Sequence, residues 1–420
     1  MALFGTDRRI LALAIARMAD GIGNSFLIIV LPLYIASGIV EGRTFGLTES
    51  MIIGIVLSLV GFVSSFSQPV TGRLSDRTGA RKLYILLGLC GLTGANLLYL
   101  FAGSYVSLVA VRALQGVSIA FIIPTSVALV NELAGAGTRG GNMGVYNTFR
   151  LVGFGSGPVA AGILVNAGPY SFFGISLNGF EATFYLAAGA AALGFLLVAL
   201  LVHDPAELER AGGDLSIDVF DGEGGLDPIF TLGVASLFMA IGIALFATLQ
   251  PEVNSRLSQG SSWFGVQFAA FIIAQVFLQV PIGRASDRWG RRPFILVGLL
   301  LLVPSTFAQG IVLDSWLMLF VRFVQGIAGA MVFAPALALA GDLATAGDSG
   351  TKLSVLTMAF GLGVALGPLS AGFLVSLGFV VPFAVGAALA VIGFGLVYTQ
   401  VEETVGREVP TTDSEPVAQD

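Results

Sequence analysis

A short basic stretch occurs twice in this sequence, and its duplication constrains the fold more than any other feature. The first copy, GRLSDRTGARK, runs from Gly72 to Lys82, and the second, GRASDRWGRRP, runs from Gly283 to Pro293. The copies lie 211 positions apart, and each closes one apolar segment and opens the next. The duplication therefore predicts two related halves joined by a linker.

Two further segment pairs repeat in the same order at nearly the same spacing. VRALQGVSIA, at residues 111–120, returns as VRFVQGIAGA at residues 321–330. GFGSGPVAAG, at residues 153–162, returns as GVALGPLSAG at residues 363–372. Because three pairs keep their order, the duplication extends over most of the chain.

The repeated segments lie in a chain that is too apolar for a soluble fold. Of its 420 residues, 55% are hydrophobic and 11% are charged, whereas a soluble domain has roughly 25% charged residues. A spanning helix needs about 20 mostly apolar residues, and the length fits twelve of them. We therefore predict an all-α polytopic membrane protein with twelve transmembrane helices in two pseudo-symmetric six-helix halves.

The expected domain boundaries follow from changes in composition. We predict an N-terminal half over residues 1–202, an acidic linker over 203–228, a C-terminal half over 229–400 and a polar tail over 401–420. The apolar run that begins at Ile10 shows no clear small-residue cleavage site, so we interpret it as a retained first helix. The linker is rich in acidic residues and glycine, which is typical of a solvated segment.

The placement of basic residues predicts the orientation in the membrane. Fourteen of the twenty lysines and arginines fall on the side that holds both termini, and two, Arg43 and Arg256, fall on the other. Positive charge concentrates in cytoplasmic loops, so we expect both termini and the linker in the cytoplasm and the protein in the plasma membrane. The net charge of -6, with only two lysines, resembles the composition of proteins from salt-loving archaea.

The two basic stretches resemble the loop signature of the major facilitator superfamily, G-x-L-a-D-r-x-G-r-k. In the first copy the relevant residues are Gly72, Asp76, Arg77, Gly79 and, after an unusual alanine, Arg81. In the second copy they are Gly283, Asp287, Arg288 and Gly290. The resemblance covers nearly the whole chain and implies the family's fold and its twelve-helix branch of drug:proton antiporter-like transporters.

For this family the signature implies a conformational latch between the halves. Its glycines permit tight turns, and Asp76 is expected to hold the outward-facing state near the start of helix eleven, where the helix dipole favours negative charge. Glu132 and Asp342, at equivalent ends of helices four and ten, are the expected arginine partners. The alternative is that these charges only set the topology.

Helix five carries a pattern that resembles the family's antiporter signature, at Gly153, Gly157, Pro158 and Gly162. Glycines four apart share one helical face and let another backbone approach, while proline bends a helix. Gly367 and Pro368 echo the pattern in helix eleven. Close helix packing without any exchange function is therefore an alternative.

Asp20 is the only acidic residue deep in a predicted span, and Arg17 lies one turn before it. A carboxylate there can bind a proton and lose its charge, or keep the charge by pairing with an arginine. A group that alternates between these options would couple proton movement to conformational change. The alternative is a static ion pair with Arg17, three residues away on the same helical face.

The family architecture places helices one, four, seven and ten around a central cavity, so the resemblance implies that Arg112 and Arg322 converge there with Asp20. An arginine inside a span costs about 2.5 to 3.5 kcal/mol and usually marks function, although Arg112 could also snorkel to the membrane surface. The remaining cavity candidates are Arg150, Asn24 and Gln115.

These features predict proton-coupled export of a small molecule, with Asp20 as the proton carrier. The alternative is an organic-anion symporter or facilitator in which Arg112 and Arg322 bind the substrate. The expected partners are the substrate, protons and the lipid bilayer, with no nucleic acid, no cofactor and no metal, and the family expectation is a monomer. The sequence shows no set of residues typical of an enzyme active site.

Overall fold

A computed structural model of the chain describes residues 7–134, 139–172, 175–204, 219–220, 225–343 and 349–404. At positions 76, 131, 139–141, 143–144, 172, 175 and 349–355 it describes the backbone only. Most of the predicted linker and tail lie outside the described residues.

The described part contains twelve helices that are long and apolar enough to cross a membrane, which confirms the predicted number. They are α1 Arg8–Ala36, α2 Glu49–Thr78, α3 Arg81–Leu98, α4 Tyr105–Leu133, α5 Arg139–Ala167, α6 Gly179–Leu201, α7 Pro228–Thr248, α8 Ser261–Trp289, α9 Arg291–Ile311, α10 Ser315–Asp342, α11 Ser349–Leu374 and α12 Val380–Gln400. A short helix, Gln250–Arg256, follows α7, and 3-10 turns, Tyr99–Phe101 and Val375–Leu377, follow α3 and α11. Strands Tyr170–Phe172 and Ile175–Leu177 form an antiparallel hairpin before α6.

Side-chain caps fix where several of these helices begin. Ser104 caps α4 and Asn178 caps α6, each through a capping box with the residue three positions on. Asp227 accepts from two backbone N–H groups at the start of α7. These oxygens satisfy N–H groups that have no partner inside the helix.

The basic stretches are more helical than the sequence suggested. Helix α2 continues to Thr78 and α8 to Trp289, so Gly72 and Gly283 lie inside helices, and the expectation that they form turns is wrong. A glycine inside a helix costs only about 1 kcal/mol, and the helix continues through it.

The turns are made by the later glycine of each stretch, Gly79 with φ 69° and Gly290 with φ 102°. A side chain is strained at such φ values. Each basic stretch is thus a helix end followed by one tight turn.

Two ends of the bundle can be distinguished by their loops. The basic face is the end that carries Arg8 and the turns at Gly79 and Gly290, and the opposite face carries the α1–α2 connection and the helix Gln250–Arg256. Since successive spanning helices alternate in direction, odd-numbered ones run from the basic face to the opposite face. The depth of a residue in the bundle is given below as its distance from the basic face.

The two halves repeat the same packing. Helix α1 packs against α5 and α6, and α7 packs against α11 and α12 in the same way. The halves meet where α2 contacts α11 and where α5 contacts α8. The pseudo-symmetric arrangement predicted from the duplication is confirmed.

The apolar cores show how the halves are joined. One buried cluster includes Leu27 of α1, Ile53 of α2 and Phe264 of α8, so it spans both halves near the opposite face. Near the basic face the halves have separate clusters, one around Leu89 and one around Leu299. The bundle is therefore closed at the opposite face.

Hydrogen bonds reinforce this closure. The Ser50 hydroxyl donates to the Glu252 carboxylate across the halves. Nearby, Asn166 Nδ2 donates to Ser262 Oγ over 2.8 Å, and Ser261 Oγ donates to Asn166 Oδ1 over 2.8 Å. All five residues lie at the opposite face, so these bonds must break if that face is to open.

The outer helices present apolar side chains to their surroundings. Leu200 of α6 is 72% exposed, and Val391 and Ile392 of α12 are also exposed. A soluble protein rarely exposes a continuous apolar surface. Together with the twelve spans, this surface identifies a multi-pass membrane protein.

Candidate functional site

Asp20 lies near the middle of α1 and is buried, with 2% of its surface exposed. Arg17 Nη1 donates to its Oδ2 atom. Within the described part of the chain, Asp20 Oδ1 and Arg17 Nε have no hydrogen-bond partner. The carboxylate is thus paired on one oxygen and has unused accepting capacity on the other.

Helix α5 supplies the other side of this cluster. Tyr146 and Arg150 lie one helical turn apart, and both lie near Arg17 and Asp20. The Arg150 guanidinium is attracted by the Asp20 carboxylate and repelled by the Arg17 guanidinium. The Tyr146 hydroxyl shares a hydrogen bond of 2.5 Å with Ser126 Oγ of α4. Among the described side chains, the site therefore holds two arginines and one carboxylate.

The sequence reasoning missed Tyr146 in this cluster. Its position one turn before Arg150, a predicted cavity residue on the same helix, was the available signal. Asn24, predicted for the cavity, lies one turn beyond Asp20 on α1 and is half-buried. Tyr146 is the residue that links the charged cluster to α4.

The glycines of the helix-five signature bring α5 against α1. A Cβ at Gly153 would overlap the Met18 carbonyl oxygen, and one at Gly157 would overlap the Ser25 hydroxyl. From the α1 side, a Cβ at Gly21 would lie 3.0 Å from the Arg150 carbonyl oxygen. This backbone contact places Asp20 beside α5.

The same signature also joins the two halves. A Cβ at Gly162 would lie 2.7 Å from the Ser261 carbonyl oxygen of α8, and Gly265 of α8 packs against the Pro158 carbonyl. One helix therefore contacts α1 on one stretch and α8 on another. Movement of α5 is coupled to both contacts.

Helix α11 repeats the arrangement in the C-terminal half. A Cβ at Gly367 would lie 2.6 Å from the Ala244 Cβ of α7, and one at Gly54 of α2 would lie 2.5 Å from the Pro368 carbonyl oxygen. Each copy of the glycine and proline pattern, on α5 and on α11, thus packs against the first helix of its own half and against a helix of the other half. Close packing is common to both copies.

The structure does not place Arg112 in the Asp20 cluster. Arg112 Nε donates to the Val56 carbonyl over 2.8 Å and Nη2 to the Leu57 carbonyl over 3.1 Å, both on α2. At 1.5 Å per residue, Arg112 lies about 31 Å from the basic end of its helix and Asp20 lies about 18 Å from the basic end of α1. The two residues are therefore at different depths in the bundle. The expected convergence is wrong for Arg112 because α2 carbonyls take its donors.

Gln115 completes the hydrogen-bond network around Arg112. Its Oε1 accepts from Arg112 Nη1 over 3.0 Å and from the Tyr99 hydroxyl over 2.7 Å. Its Nε2 donates to Asn96 Oδ1 over 2.7 Å. Gln115 therefore ties α3 to α4 and is not a cavity residue in this conformation.

Arg322 occupies the equivalent position of α10 in a different environment. It is fully buried, and Nη1 donates to Gln325 Oε1. Its guanidinium carbon lies 4.4 Å from the Phe246 ring centroid and 4.9 Å from that of Phe271. Ring faces attract a cation, but Nε and Nη2 have no hydrogen-bond partner among the described residues.

The difference between the two arginines leads to a stability prediction. Arg112→Met is expected to lower the free energy of unfolding by about 2 to 4 kcal/mol, because it removes several hydrogen bonds from a charged group. Arg322→Met is expected to change it by less than about 1 kcal/mol, because the variant no longer buries two unpaired donors. Thermal unfolding of the two purified variants in the same detergent checks this, and equal losses would contradict it.

At the basic face, arginines pair with the expected carboxylates. Arg81 Nη2 lies 2.7 Å from Glu132 Oε1, and Arg291 pairs with Asp342 and lies 3.4 Å from Asp287. Each pair lies within one half, so these ion pairs stabilise the halves separately.

Other members of the predicted latch do not form such pairs in the described part of the chain. Arg77 and Arg288 are exposed at the ends of α2 and α8. The side chain of Asp76 lies outside the described part. A contact between the halves through the latch stays a prediction.

Two acidic residues at the basic face were missed from sequence. Asp204, three residues after α6, accepts from the Lys82 N–H at the start of α3 over 2.9 Å. Glu403, three residues after α12, accepts from the N–H groups of Arg291 and Arg292 over 3.0 and 2.9 Å. The duplication thus extends to the caps of the third helix of each half.

Sequence comparison gives the chain's relatives. The family model of the Major Facilitator Superfamily matches residues 13–215 and 231–418. An uncharacterised MFS-type transporter of Mycobacterium tuberculosis strain H37Rv is 28% identical over 377 residues, covering 85% of this chain and 86% of the relative. The quinolone resistance protein NorA of Staphylococcus aureus is 23% identical, covering 91% of this chain and 93% of NorA.

Solved structures show the same fold. A D-xylose-proton symporter is similar with a TM-score of 0.76 and 16% identity, covering 95% of this chain and 99% of the symporter. The human organic anion transporter MFSD10 has a TM-score of 0.66 and 19% identity, covering 93% of this chain and 99% of MFSD10. These neighbours are transporters and not enzymes, and the chain belongs to the major facilitator superfamily.

Proposed function

We propose that the protein exports a small molecule in exchange for protons, with Asp20 as the proton carrier. The observation that carries this proposal is a buried carboxylate in mid-span that is paired through one oxygen only. An ionisable residue inside a membrane span is expensive and usually functional. Relatives that are named as multidrug and quinolone resistance proteins support export.

Protonation of Asp20 would change the charge balance of its site. The ionised carboxylate offsets one of the two nearby arginines, Arg17 and Arg150, and protonation leaves both uncompensated. The resulting repulsion would drive α1 and α5 apart or draw an anionic group between them. Because α5 also contacts α8 of the other half, this local change would reach the interface between the halves.

Alternating access provides the transport cycle. The closed opposite face leaves the centre of the bundle to be reached from the basic face, which we propose is cytoplasmic with both termini. The halves would then rock about the α2–α11 and α5–α8 contacts to expose the centre at the other side. The Ser50–Glu252 bond would break in that step.

A second function is favoured by the excess of positive charge. Two arginines face one carboxylate at Asp20, and Arg322 has two donors without a partner in the described part. Either of these two places could hold the charged group of an organic anion, and one structural neighbour is a human organic anion transporter. In that case the protein would act as a symporter or facilitator of anions.

Proton flux in liposomes distinguishes the two functions. Purified protein is reconstituted with a pH-sensitive dye inside, a pH gradient is imposed, and lipophilic cations or organic anions are added. Export by proton exchange predicts dye responses to cations of at least several times the response of empty liposomes. Responses to anions alone would contradict exchange of a cation and assign the site to anion transport.

A further inference from the structure

We propose that the turn between α8 and α9 binds the headgroup of an anionic phospholipid. A cavity of about 400 Å³ opens there at the basic face. Its lining residues are Arg288, Trp289, Gly290, Arg292, Pro293, Leu296 and Glu403. The proton-carrying cluster around Asp20 uses none of them, so this proposal does not rest on the proposed export function.

The charges of the cavity suit a phosphate group. Arg288 is exposed at the end of α8. Arg292 is held in place, because Nη2 donates to the Tyr398 carbonyl over 2.5 Å and the guanidinium carbon lies 5.4 Å from the Tyr398 ring centroid. Its Nε is buried and has no hydrogen-bond partner among the described residues.

Glu403 reduces this positive charge only in part. Its two carboxylate oxygens accept from the backbone N–H groups of Arg291 and Arg292. The carboxylate therefore faces the start of α9, where negative charge is favourable. Two arginines against one engaged carboxylate leave the cavity with a net charge of about +1, which favours an anion.

The position of the cavity indicates a lipid source for that anion. Trp289 is 75% exposed at the end of a spanning helix, and tryptophan is enriched where a membrane meets water. From the cavity, Leu296, Val297 and Leu300 continue along one side of α9, and the last two are exposed. A headgroup at Arg288 would thus have its acyl chains beside an apolar helix face, as basic pockets for lipid headgroups require.

The first basic stretch lacks these features and provides a control. Thr78 stands where the second copy has Trp289. Lys82 has the place of Arg292 at the start of its helix, and Lys82 Nζ donates to the Ala199 carbonyl over 2.8 Å. Arg77 is the equivalent of Arg288 without the aromatic neighbour.

The test is thermal unfolding of the full chain in mixed micelles of detergent and phosphatidylcholine, with and without added phosphatidylglycerol. We expect phosphatidylglycerol to raise the midpoint by at least about 3 °C in the wild type and in Arg77→Gln, consistent with ligand-linked stabilisation. The double variant Arg288→Gln with Trp289→Thr should lose most of this shift.

Two results would overturn the proposal. The first is an equal shift by phosphatidylglycerol in the double variant and the wild type, which would place the lipid elsewhere. The second is a shift of the same size from inorganic phosphate or glycerol phosphate alone, which would assign the cavity to a soluble anion. Because Arg288 and Trp289 are exposed, the double variant is expected to fold, and its midpoint in phosphatidylcholine alone checks this.

Discussion

Asp20→Asn is expected to abolish substrate-evoked proton flux while the protein still folds. Asparagine has nearly the same shape and can accept from Arg17 through its amide oxygen, but it cannot bind and release a proton at physiological pH. The variant leaves Arg17 and Arg150 without a counter-charge, so a loss of unfolding free energy of about 1 to 3 kcal/mol is expected. Proton flux and thermal unfolding are measured on the same preparation.

Glu41→Gln is the matched control for this prediction. Glu41 lies in the exposed connection after α1, so its neutralisation should leave both proton flux and stability unchanged. If Asp20→Asn keeps transport that is driven by a pH gradient, the proton is carried by another group. The control then shows whether the loss of any surface carboxylate has the same effect.

A double variant separates the proton carrier from a static ion pair. Arg17→Gln together with Asp20→Asn replaces both charges by groups that can still hydrogen-bond to each other. If the pair only stabilises α1, the double variant should regain most of the transport lost in Asp20→Asn, because no buried charge is left unpaired within the pair. If Asp20 carries the proton, the double variant should stay without coupled flux.

The fold could be predicted from the sequence because its signals are local or repeated. Apolar runs of sufficient length indicated twelve spans, and the duplicated stretches indicated two equivalent halves. The Arg17–Asp20 contact followed from spacing along one helix, which requires no knowledge of the neighbouring helices. The glycine and proline pattern of helix five likewise indicated a close helix contact.

The tertiary partners of the arginines could not be predicted in this way. Arg112 and Arg322 occupy equivalent positions in similar sequences, but the first bonds to α2 carbonyls and the second lies among phenylalanine rings. The difference between the surroundings of the two arginines depends on residues from other helices. Phe268 and Phe271 of α8 lie 211 positions after Leu57 and Val60 of α2, and these aromatic rings are present in only one half.

The contact between α1 and α5 leads to the second prediction with a large effect. Gly153→Ala adds one methyl group where a Cβ would overlap the Met18 carbonyl oxygen. A backbone carbonyl cannot rotate away as a side chain can, so α1 must move. We expect a loss of unfolding free energy of about 1 to 3 kcal/mol from overpacking.

The same shift should reduce transport far more than it reduces folded protein. Asp20 lies two residues after Met18, so moving this part of α1 changes the distance from Asp20 to Arg150. A displacement of about 1 Å at a reacting group can cost about 100-fold in rate, and we expect a fall of at least tenfold in substrate-evoked proton flux per folded molecule. Flux is normalised to the folded fraction from size-exclusion chromatography.

Gly189→Ala in α6 is the control because nothing lies within 4 Å of a Cβ at that position. There the methyl group meets no neighbour, and alanine favours a helix over glycine by roughly 0.5 to 1 kcal/mol. This variant should therefore be slightly more stable and fully active. Normal flux in Gly153→Ala would show that α1 and α5 tolerate separation, and that the glycine signature acts in packing without fixing the position of Asp20.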